Sequence, residues 1–145
     1  MIAKLDAWLR RAERLSPVVR WLAAVGWLVL IWSASALPRH ATPRFHPVVP
    51  NMAHVVAFGT LAGLWMLAVR RLDWRGFGIG VSVATLYGAM DEWHQSFVPG
   101  RSPDAWDVVS DFGGACLVAA AMVWLRARSR SAAWLALGAV VVACA

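Results

Sequence analysis

Between Tyr87 and Gly114 the chain reads YGAMDEWHQSFVPGRSPDAWDVVSDFGG, and most of its reactive chemistry is concentrated there. Asp91, Glu92, Asp107 and Asp111 supply carboxylates, His94 and the earlier His54 supply imidazoles, Gln95 an amide and Arg101 a guanidinium. Carboxylates beside imidazoles can hold a cation or move a proton. An amide orients a bound group by hydrogen bonds, and a guanidinium grips phosphate or carboxylate with two parallel bonds. The spacing suits helices: Asp91 and Gln95 are four apart, Asp91 and His94 three apart, and Asp107 and Asp111 four apart, so each set shares a helix face. Four carboxylates against one arginine leave a negative surplus that calls for protons or a cation. His54, Glu92 and His94 are the candidate metal ligands. Plainer roles stand beside these. Arg101 can pair with Asp104 or Asp107, His94 can be an interfacial histidine, and the whole network can serve only to pin helices together. Asp104, after a proline, reads most simply as a turn residue.

The elements that must carry these residues are apolar. Sixty per cent of the 145 residues are hydrophobic and mean hydropathy is +0.58, against roughly 45–50% apolar in soluble domains. So short a chain has too little interior to bury that excess, and lipid is the natural solvent. Residues 18–37 form a first apolar run whose 20 residues would span roughly 30 Å as a helix, the hydrocarbon thickness. Ala34-Ser35-Ala36 resembles a signal-peptide cleavage site, but the run is long for one and carries Trp21, Trp27 and Trp32, which favours a retained helix. Residues 38–50 hold four prolines and read as an irregular loop. Further runs cover 51–69, 77–97 and 107–125. Residues 4–16 are amphipathic: Leu5, Trp8, Leu9, Ala12 and Leu15 recur at helical spacing among Lys4, Arg10, Arg11 and Arg14, fitting either a helix on an anionic leaflet or a solvated tail. Residues 132–145 make a last apolar stretch of about 21 Å as a helix, short for a span. The expected fold is all-α: a polytopic membrane bundle of four transmembrane helices, an amphipathic N-terminal helix and a short C-terminal apolar helix, in one domain over 1–145.

Charge sets the orientation. The net charge is +6 and the pI about 11.0, yet the basic residues lie in short clusters between apolar runs, which argues against nucleic acid. Eleven Lys/Arg fall in the N-terminal segment, the loop with Arg70, Arg71 and Arg75, and the stretch after the fourth run; Arg39, Arg44 and Arg101 fall on the other side. The asymmetry predicts a cytoplasmic N-terminus with both proline-bearing loops outside, Trp74 and Trp124 near the inner interface, and Trp93 and Trp106 near the outer one. Gly59-x-x-x-Gly63 and Gly113-Gly114-Ala115 offer small residues for close helix packing. Cys116 and Cys144 lie in apolar runs without metal-ligand spacing and read as small buried hydrophobes.

In this topology His54 lies about one turn into the second run, Asp91 and Glu92 about one and a half turns before the end of the third, and Asp111 one turn into the fourth. Three spans thus bring ionisable groups to a similar depth at one face. A charge facing lipid there costs on the order of 2–3 kcal/mol or more, so these groups should face one another or a wet cavity.

The same residues resemble the VanZ-like family, whose pattern runs roughly DE-x-x-Q-x-F-x-P-G-R, then Asp, then Asn four residues later followed by Gly. Asp91, Glu92, Gln95, Phe97, Pro99, Gly100, Arg101, Asp107 and Gly113 match it. Asp111 stands where the family has Asn. Of an earlier Asp-Lys-x-x-His element only His54 matches, with Pro50 and Asn51 in the acidic and basic positions. The resemblance covers 51–125 and implies a bacterial cytoplasmic-membrane protein of four or five helices, associated in the namesake with low-level resistance to the glycopeptide teicoplanin. The more acidic site here argues against any role that needs an ammonium beside His54.

Three functions fit. The first is an envelope protein with an outward-facing acidic pocket (His54, Asp91, Glu92, Gln95, Arg101, Asp107 and Asp111) in which Asp91, Glu92 and Asp107 bind a cation or head group, with membrane lipids as surroundings and glycopeptide or lipid-linked cell-wall precursor as the implied ligand. The second is a metal-assisted hydrolase or transferase on a lipid phosphate, unsupported by any HExxH, serine-nucleophile or P-loop motif. The third is a proton- or cation-coupled carrier, opposed by the scarcity of polar residues in the first two runs toward the cytoplasm. No cofactor, oligomeric state or catalytic residue follows from the sequence.

Overall fold

The computed structural model describes residues 2–38 and 48–143, with side chains described for 2–38 and 51–128. All regular structure in these residues is helical. In chain order the helices are α1 (Ile2–Glu13), α2 (Pro17–Ser35), α3 (Val48–Ala68), α4 (Trp74–Gln95) and α5 (Ala105–Ala143).

Their boundaries follow from local chemistry. Ser16 caps α2 by accepting from the Val19 N–H at 3.3 Å, and Pro17 fills the first position, where no N–H is needed. Asp73 caps α4 by accepting from the Gly76 N–H at 2.9 Å. That N–H, with Arg71 and Arg75 nearby, holds the Asp73 carboxyl below the usual carboxylate range. Asp104 does the same for α5: its Oδ1 accepts from the Trp106 N–H at 2.9 Å, so its turn role is also a capping role. α3 ends in a paired reverse turn, with the Arg71 N–H donating to Met66 and the Arg70 N–H to Leu67. Arg70 therefore sits in the left-handed region at φ 57°. Glycine is usual at that position, and an L side chain there costs roughly 1 kcal/mol or more.

α3 is the central helix. It packs most extensively on α5, next on α4, and α2 lies along the outside. Phe58, Leu61, Ala62, Met66, Ala84, Ala115 and Ala119 form the shared core. Small residues permit the α3–α5 contact: a Cβ added at Gly59 would lie 2.8 Å from the Gly114 carbonyl oxygen, and one at Gly114 would overlap the Val55 backbone. Gly113, its neighbour, faces open space. α2 is tied on by polar bonds, from Trp27 Nε1 to the Ala57 carbonyl at 2.8 Å and from the Tyr87 hydroxyl to the Leu28 carbonyl at 2.7 Å.

The outer surface is apolar. Leu22, Val29, Leu86 and Leu117 are each more than half exposed. Among the described residues three helices are long and apolar enough to cross a membrane: Pro17–Ser35, Asn51–Ala68 and Ala105–Arg128. Among the described residues α4 does not join them, because its glycines and its DEWHQ end dilute the hydrocarbon character of a helix that is otherwise long enough at 22 residues.

Three expectations change. The separate C-terminal helix is not there: the backbone stays helical from Ala105 to Ala143, so the last apolar stretch continues α5, with nothing in RARSRS to break it. α3 begins three residues earlier than the apolar run, taking Pro50 into its first turn, where proline is tolerated. The amphipathic segment is helical over 2–13, with Leu9 and Ala12 buried against the bundle rather than left outward, while Leu5, Trp8 and Leu15 stay exposed. The expected loop positions 39–47, and Cys144, lie outside the described residues.

Candidate functional site

The polar residues of α3, α4 and α5 meet at the end of the bundle where α3 and α5 begin and α4 ends. Asp91, Glu92, Gln95 and Asp111 are each 5% exposed or less, and the His54 and Asp107 side chains are 18% and 24% exposed. The cluster thus runs from a buried floor to a partly exposed mouth.

Asp91 and Gln95 form the floor. They sit one turn apart on α4, so the Gln95 amide donates from Nε2 to Asp91 Oδ2 at 2.8 Å and to Glu92 Oε1 at 3.3 Å. The other Asp91 oxygen accepts from the Ser35 hydroxyl at 2.5 Å, which brings in the last residue of α2. Both Asp91 oxygens are therefore engaged. Gln95 Oε1 accepts from Arg101 Nη1 at 3.1 Å, and Arg101 Nε donates to the Leu37 carbonyl at 3.3 Å. Among the described residues Arg101 forms no salt bridge with Asp104, Asp107 or any other carboxylate. Its charge stands at the rim, tethered by neutral carbonyl oxygens. The turn that carries it needs Gly100 at φ 78°.

His54 and Asp107 form the mouth, with Glu92 buried just beneath them. One ligand atom from each lies within 4.8 Å of the others, close enough for a single metal ion. Asp111 Oδ1 lies 2.9 Å from His54 Nδ1, while His54 Nε2 faces Asp107 Oδ2 at 3.6 Å. With a carboxylate as partner, Nδ1 takes the donor role, and Nε2 is left to present its lone pair to the mouth. The ring stacks on Phe58, with centroids 5.9 Å apart. Glu92 is steadied by the Asp104 N–H, which donates to Oε2 at 2.7 Å. The donor set, one imidazole nitrogen and two carboxylates backed by a further carboxylate, suits a divalent first-row metal.

His94 lies apart. Its ring stacks on Trp32 of α2 with centroids 3.8 Å apart, turned from the three converging groups, and its buried Nδ1 has no hydrogen-bond partner. The third member of the trio is Asp107 instead.

Two contributors escape a reading by residue type. Ser35 sits in a stretch whose small residues suggest a cleavage signal; its depth, level with Asp91 across the bundle, is the clue that it can donate there. Gly88 faces Asp111, and a Cβ at Gly88 would overlap that carboxylate. The Asp111 Oδ2 atom, pressed against Gly88, is buried without a partner. Gly88 lies four residues before Glu92 on α4 and carries no signal beyond its size.

A family model described as VanZ/LLP1 matches residues 10–126, most of the chain including α2 and the end of α1. Comparison with curated proteins and with solved structures yields no match.

Proposed function

The chain belongs to the VanZ/LLP1 family, and from that premise we propose that this multi-pass membrane protein of the bacterial cell envelope holds a divalent cation between His54, Glu92 and Asp107, and through it a polar group of a cell-surface ligand. The observation that carries the reading is the approach of those three donors, from three different helices, to within 4.8 Å. Two of them have supporting neighbours: Asp111 for His54, and Asp104 and Gln95 for Glu92.

The proposal includes a fourth span, α4, with the N-terminus in the cytoplasm and the site outward. The positive-inside asymmetry supports it. So does the packing of α4 against both α3 and α5, since a helix paired along two spans can bury its glycines and polar end inside protein. Arg101 at the rim is placed for a phosphate or carboxylate of the ligand, and Asp91 with Gln95 forms the support beneath. The resemblance supplies the ligand class, glycopeptide antibiotic or lipid-linked cell-wall material.

One observation favours catalysis as a second reading. The trio supplies three protein ligands rather than four, with a carboxylate behind the histidine, and this is how sites that keep a position open for water or substrate are built. A hydrolase or transferase on a lipid phosphate would use that position.

Equilibrium dialysis of the purified protein against Mn²⁺ or Zn²⁺ tests the proposal. Wild type should bind about one ion per chain, and Glu92→Gln should weaken binding by more than about a hundredfold. Glu92→Ala or Arg101→Ala should abolish any glycopeptide-resistance phenotype at unchanged membrane level. Absence of binding, or an unchanged phenotype, would count against the site. Metal-dependent release of phosphate from a lipid substrate would favour the second reading.

A further inference from the structure

The opposite end of the bundle holds a second polar feature, of opposite sign. A cleft of about 610 Å³ opens where the α1–α2 turn, the end of α3 and α5 meet, and Arg14, Arg20, Arg70 and Arg126 line it. Along α3, Arg70 lies 16 residues from His54, about 24 Å at helical rise, so the two sites are separate.

Four arginines from four parts of the chain converge with one acid, Glu13, which pairs with Arg126 at 3.4 Å. Among the described residues the other three form no salt bridge. Arg20 is 4% exposed; its Nη1 donates to the Glu13 carbonyl at 3.1 Å, but its Nε has no partner. A buried guanidinium nitrogen left unbonded marks a place where an acceptor is missing. Ser16 and Pro17 also line the cleft, so the positive end of α2 faces into it. Arg70 also lines the cleft, from a left-handed position that glycine would fill at less cost.

We propose that this cleft binds a phosphate group. Guanidinium forks arriving from several directions match the several oxygens of phosphate better than the two of a carboxylate. The cleft lies at the ends of the candidate membrane-spanning helices, where lipid head groups would lie. The phosphate of an anionic lipid and that of a small soluble ester share the required chemistry.

Arg70→Gly separates binding from folding. Glycine relieves the backbone, so a purely structural role predicts equal or higher thermal stability and nothing else. The full-length protein is equilibrated in mixed phosphatidylcholine and phosphatidylglycerol micelles, and retained lipid is counted by native mass spectrometry; inorganic phosphate is titrated separately by thermal shift. Wild type should retain phosphatidylglycerol selectively, or be stabilised by phosphate. Arg70→Gly should lose roughly tenfold in the same affinity without losing ligand-free stability. Lipid selectivity without a phosphate response identifies a head group; a phosphate response that displaces the lipid identifies a small ester. Either supports the site. No preference and no response in wild type, or full binding by Arg70→Gly, overturns it.

Discussion

Gln95 shows how much one side chain must do at this site. Its amide nitrogen is shared between Asp91 and Glu92, which would otherwise repel each other, and its oxygen holds Arg101 at the rim. Asp111 has a comparable double position, with one oxygen on His54 and the other pressed on Gly88. The resemblance places asparagine at position 111, and an amide oxygen can accept from Nδ1 as a carboxylate does. The two replacements of Asp111 should therefore differ. Asp111→Asn keeps the acceptor and should hold cation affinity within about tenfold, whereas Asp111→Ala frees the ring and should lose about 10–100-fold. Titration calorimetry on both variants decides the point. Equal affinity in Asp111→Ala and wild type would mean that the carboxylate does not orient His54.

Helices set the distances between these residues, and glycine sets the distances between helices. Gly59 and Gly114 meet where α3 and α5 come closest, at one end of which stand His54 and Asp111. Gly114→Ala should cost about 1–3 kcal/mol through overlap with the Val55 backbone, and should weaken cation binding by spreading α3 from α5. Gly113→Ala meets nothing and should be neutral or mildly stabilising. Thermal unfolding of the two variants gives the comparison, and equal effects would contradict the packing described. The sequence made this pair of glycines visible but not which one is buried, since neighbours on a helix point about 100° apart and only the partner helix distinguishes them. Similarly, the depth of His54 and of the acids was legible from their positions in the apolar runs. The turning of His94 toward Trp32 was not: it depends on the rotation of α4 against α2, which residue spacing leaves free.

At the scale of the whole molecule the charges are sorted by end. Carboxylates and His54 gather where α3 and α5 begin, and arginines gather where α3 ends. The run lengths made the helices legible, with boundaries shifted by a few residues through caps such as Asp73 and Asp104. The unbroken α5 was not legible, because an apolar stretch too short to span looks separate when it follows three arginines, although arginine is a good helix former. A membrane accounts for this arrangement: apolar flanks face outward, and ionisable groups are driven to the ends or into one another's company. The aromatic residues fit, with Trp74 and Trp124 exposed toward one end and Trp93 and Trp106 toward the other.

The most direct test of the central claim, that separate helices build one cation site, is pulsed electron paramagnetic resonance on Mn²⁺ added to the protein in lipid nanodiscs. A single directly bound imidazole nitrogen should give nuclear modulation that is absent in His54→Gln and retained in His94→Gln. A spectrum of fully hydrated Mn²⁺, or modulation that survives His54→Gln, would contradict it.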